Sequence, residues 1–122
     1  MHPLYTKAMN VVEELKEARL KVVHTASELT QAEYALRLKQ ATIERDLIKK
    51  VGSERALAPT VDDRTRIFVR ALDADQDYRA QLQRRDALET ELGEAKAEVA
   101  SLRDMLNVML AAMRTAADEI EI

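Results

Sequence analysis

Apolar residues return every seven positions from the start of the chain, at Ala8, Leu15, Val22, Leu29, Leu36 and Ile43. Val11, Val12, Ala18, Ala26, Ala32 and Leu47 sit three or four positions from members of that row. This is a heptad stripe, the pattern of a helix that packs along one face. Pro3 suits a first helical turn, and Lys49 and Lys50 before Gly52 supply a cationic last turn and a left-handed cap residue. The pattern predicts a first helix over about 4–51, roughly 70 Å long at 1.5 Å per residue. It lapses between Gly52 and Asp63, where Pro59 disfavours helical angles at Ala58. Thr60 is placed to cap a second helix, with Asp62 and Asp63 at the positive end of its dipole.

Apolar residues then recur at Ile67, Leu72, Tyr78 and Leu82. From Leu88 they alternate at four and three: Leu92, Ala95, Val99, Leu102, Leu106, Met109, Met113, Ala116, Ile120. A second helix over about 61–118 follows, with Gly93 inside it as a tolerated or close-packing position. The six-residue step from Leu82 to Leu88 predicts a local change of winding at Arg85. Two long helices joined by a turn at 52–60 are expected to fold back as an antiparallel, coiled-coil-like hairpin, one domain over 1–122. A turn centred near residue 56 would set Tyr34 opposite Tyr78, Leu36 near residue 76, and Leu15 near Ala97 to Val99. A single open rod is the alternative, and Gly52 and Pro59 speak against it as helix punctuation. One seam buries little apolar surface for so many ordered residues, so a homo-oligomer is expected. Further copies would cover Val11, Leu20, Val23, Leu38 and Leu110.

Composition narrows the class. The 122 residues are 34 % charged and 3 % aromatic with two Gly and no Cys, which leaves no material for strand faces, a Gly-rich phosphate cradle, a disulfide framework or a thiolate zinc site. The fold class expected is all-α. His2 and His24 lack the spacing of a metal pair, and Ser53 and Ser101 have no histidine close in sequence. Neither an enzyme nor a cofactor or metal is expected. Met105, Met109 and Met113 read as core filler. Glu13, Glu14 and Glu17 interrupt any leader-like apolar run, and no stretch reaches the ~20 apolar residues of a membrane span. A cytoplasmic protein without a membrane partner is expected.

Net charge is −3, yet residues 37–70 hold nine basic and five acidic side chains, and residues 71–122 hold six and twelve. A fold-back would gather Lys49, Lys50, Arg55, Arg64, Arg66 and Arg70 at one end. Such a cationic tip on an acidic chain suits phosphate binding without sequence reading, with Phe68 as the one nearby aromatic. The plainer reading is that the lysines complement the helix dipole and the arginines pair with Glu54, Asp62 and Asp63.

The segment Leu72, Ala74, Asp75 and Asp77, preceded by Lys49 and Lys50 before Gly52, resembles the small helical recombination mediator proteins of tailed phages. These carry a similar Leu-x-Ala-Asp-x-Asp segment and a basic stretch that leads into a Gly-containing turn. The resemblance covers about residues 40–115. It implies a ring-like homo-oligomer that binds single-stranded DNA, touches a recombinase and a single-strand binding protein, and works in a bacteriophage host's cytoplasm during DNA recombination. The alternative is a coiled-coil assembly or scaffold protein whose charges serve solubility and register.

Overall fold

The computed structural model describes residues 3–121, with side chains through 119. His2 lies outside the described residues, and the side chain of Ile120 lies outside them as well. The described chain is 95 % helical and all-α. Four helices follow in order: α1 (Pro3–Val51), α2 (Glu54–Leu57), α3 (Val61–Ala74) and α4 (Gln76–Glu121). α1 matches the helix expected over 4–51. It ends on Gly52 at φ 100°, a left-handed angle that an L side chain resists, while the Gly52 amide donates to Ile48 O at 2.8 Å.

The turn and the second helix differ from expectation in two ways. The connection contains a one-turn helix, α2, capped by the Ser53 hydroxyl, which accepts from the Ala56 amide at 3.1 Å. The long second helix is divided at Asp75. That residue leaves helical angles, and its Oδ1 accepts from the Tyr78 amide at 2.8 Å, which starts α4 afresh. A short acceptor side chain satisfies first-turn amides that a continuing helix would bond itself, so the Ala-Asp-Gln step breaks the helix. Thr60 caps α3 as expected, with its hydroxyl accepting from the Asp63 amide at 3.1 Å.

The chain divides into two compact units. The first is Met1–Ser27 with Thr90–Ile122, and the second is Glu28–Glu89. In the first unit Val11, Leu15 and Ala18 of α1 form a buried cluster with Leu102 of α4, and Val99, Leu106 and Met109 pack against it. Val99, the expected neighbour of Leu15, packs against this cluster, but the α4 residue buried within it is Leu102, one turn further along. Val11 is inside this core and needs no second copy to cover it. Leu20, Val23 and Leu110 stay exposed.

In the second unit α1 and α4 meet through Glu28–Arg84 at 3.9 Å and Lys39–Asp77 at 3.7 Å. Leu36, Leu72 and Leu88 are buried there. Tyr34 does not face Tyr78. It is 63 % exposed, and Tyr78 lies half-buried in a cleft with Glu33, Leu36, Gln40 and Arg85. The helical step explains this, because Tyr34 is two residues from Leu36 and points well away from the buried row. Winding does not change at Arg85 either. Half-buried and buried positions run 78, 81, 85, 88, 92, 95, 99, 102 without a skip, and α4 is continuous. What lapses is hydrophobicity: Gln81 and Arg85 occupy positions of the row where Leu would be expected.

Candidate nucleic-acid interface

The six cations singled out from the sequence all belong to the second unit, on three helices. Lys49 and Lys50 form the last turn of α1 and are exposed. Arg55 is exposed on α2. On α3, Arg66 and Arg70 are four residues apart on the solvent face, while half-buried Arg64 shares the packed face with Ile67, Phe68, Ala71 and Leu72. The arginines of α3 therefore do not form one row. Phe68 is on that packed face too and offers little ring for a base to stack on.

Outside this region, Arg79 makes no ion pair among the described residues, but four other cations of the second unit do. Arg37, Lys39, Arg84 and Arg85 each hold a carboxylate within 4.0 Å, belonging to Glu33, Asp77, Glu28 and Asp86. The Asp86 hydrogen bond also raises the Arg85 guanidinium above its ordinary range. Of the six candidates, Arg66 alone makes such a pair among the described residues, with Asp63 at 3.8 Å. Acidic neighbours nonetheless stand close in sequence: Asp62 and Asp73 share the solvent face of α3 with Arg66 and Arg70. Asp46 likewise stands exposed on α1, three residues before Lys49 and four before Lys50, and Glu54 adjoins Arg55.

Arg45 is missing from the sequence-derived set. It is exposed on α1 one turn before Lys49, and the four-residue spacing puts the two on one face. That spacing is legible without coordinates.

The acidic residues of the Leu-x-Ala-Asp-x-Asp segment have local structural work. Asp75 caps α4 and Asp77 pairs with Lys39. Among the described residues no cluster of three or more His, Asp or Glu side chains could hold a metal ion, and no helix is long and apolar enough to cross a membrane. No protein-family model, no curated protein and no solved structure matches the chain.

Proposed function

We propose that the chain is a self-associating helical hairpin whose basic turn binds single-stranded DNA, the role of a recombination mediator that helps load a RecA-like recombinase. The observation that carries this reading is the cluster of exposed cations at Lys49, Lys50 and Arg55 that make no ion pair among the described residues, whereas Arg37, Lys39, Arg84 and Arg85 of the same unit do. A cation without a carboxylate partner keeps its full attraction for phosphate, and releasing the counterions of DNA then favours binding. The antiparallel fold-back is supported by the order of contacts, because Glu28 meets Arg84 whereas the later Lys39 meets the earlier Asp77.

Self-association is supported by surface area. The chain exposes 9076 Å², against roughly 6,600 Å² for a monomeric protein of its mass. The surplus exceeds the ~800 Å² that one partner contributes to a standard interface. This observation equally favours a second reading, an assembly protein without nucleic-acid binding.

A salt titration of single-stranded DNA binding separates the two. The mediator reading expects affinity that falls with salt, by about 0.7 logarithmic units per phosphate contact per decade. Lys49→Glu, Lys50→Glu and Arg55→Glu together should abolish binding, and the same reversals at Lys7, Lys21 and Arg114 should change it little, because screening limits their reach to about 10 Å. Absence of binding by the unaltered protein leaves the assembly reading.

A further inference from the structure

In the first unit, α1 and α4 leave a groove of about 490 Å³ lined by Arg19, Val22, Val23, Lys96, Val99 and Arg103. A shallower apolar depression adjoins it over Leu20 and Val23, edged by Lys16 and Arg19. The floor is aliphatic and the rim is cationic. Leu20 and Val23 are 70 % and 68 % exposed, high for aliphatic side chains beside a packed seam. Lys16 pairs with Glu13, while Arg19, Lys96 and Arg103 form no ion pair among the described residues.

The heptad arithmetic shows what stands on the other flank of the same unit. Lys96 and Arg103 each follow a buried residue by one position, Ala95 and Leu102. Glu91 and Glu98 each precede a seam residue by one position, Leu92 and Val99, and so project from the opposite flank of α4. Glu94 is exposed beside them, and the same flank continues into exposed Met105 and Val108. On α1, Arg19 follows buried Ala18 and joins the cationic flank, whereas Glu14 precedes buried Leu15 and lies on the acidic one. Lys7, which precedes buried Ala8, and Lys21 stand on that flank of α1 as well, so its acidic character is carried by α4.

We infer that the cationic groove of one copy receives the Glu91–Glu98 flank of a second copy's α4, with the second copy's Met105 and Val108 against Leu20 and Val23. The inference rests on the self-association proposed above and specifies its surface. Two cationic grooves repel each other, so this contact is heterologous: each copy uses one flank to give and the other to receive, and assembly continues past a dimer. The acidic flank is the complement in charge as well as in apolar content, and the surplus exposed area is enough for two such contacts per chain.

The test uses two double variants of the full chain, followed by light scattering with helicity monitored by circular dichroism. Arg19→Glu with Arg103→Glu is expected to reduce the mass to that of one chain at a concentration where the unaltered protein is larger than a dimer. Glu91→Arg with Glu98→Arg should do the same. Mixing the two variants restores a complementary pair at every contact and should recover the large mass, an outcome that misfolded variants cannot give. If both variants keep the parental mass, or their mixture stays monomeric while both remain helical, the surface is wrong and self-association stands. A monomeric parent overturns both.

Discussion

Gln81 states the cost of polarity at a seam position most plainly. Its Oε1 is buried without a hydrogen-bond partner among the described residues, beside a cleft of about 250 Å³ lined by Glu28, Gln31, Ala32, Ala35 and Arg84. An unsatisfied buried acceptor costs about 1–3 kcal/mol, so Gln81→Leu should raise stability by that order, read as a higher denaturant midpoint at unchanged slope. Retained polar seam residues in coiled coils fix register, and Gln81, Arg85 and buried Thr25 are placed to do so here. A loss of stability in Gln81→Leu would show that the amide is satisfied in solution. None of the three was legible as a seam residue from hydrophobic pattern, because that pattern registers residue type and not position. Counting the three-four step through polar residues would have found them.

Among the elements, the end of α3 and the start of α4 depend on one side chain. Asp75→Ala removes the acceptor for the Tyr78 amide and should destabilise the protein by about 1 kcal/mol, while Asp75→Asn, which keeps an acceptor oxygen, should cost much less. The break itself was hidden in the sequence, since neither Gly nor Pro marks it and Asp is common inside helices. Thr60 and Gly52, by contrast, were legible as caps because their chemistry has few other uses at those positions. Gly93 carries the opposite lesson. A Cβ added there meets nothing within 4 Å, so it is no close-packing site. Gly93→Ala should stabilise α4 by about 1 kcal/mol, seen as a higher thermal midpoint. A lower midpoint would place this surface against something in the assembled protein.

At the scale of the whole molecule, the two long helices and their shared stripe could be read from the sequence, since both follow from periodicity within a single chain segment. The distribution of charge between flanks could not, because it depends on which helix sides meet. The six candidate cations show the difference: they cluster in sequence, yet Arg64 turns toward the packed face of α3 and Arg66 is paired. Both the basic turn and the two-sided flank depend on α1 folding back on α4 within one chain. The chain has no cysteine, so Glu28→Cys with Arg84→Cys introduces the only thiols. These positions approach to 3.9 Å between their native side chains. Treatment with a short bis-maleimide, after dilution into a tenfold excess of cysteine-free chain, should give a crosslinked product with the mass of one chain. A product of two chains that disappears on dilution would mean that the helices pair between copies, and the fold-back would be contradicted.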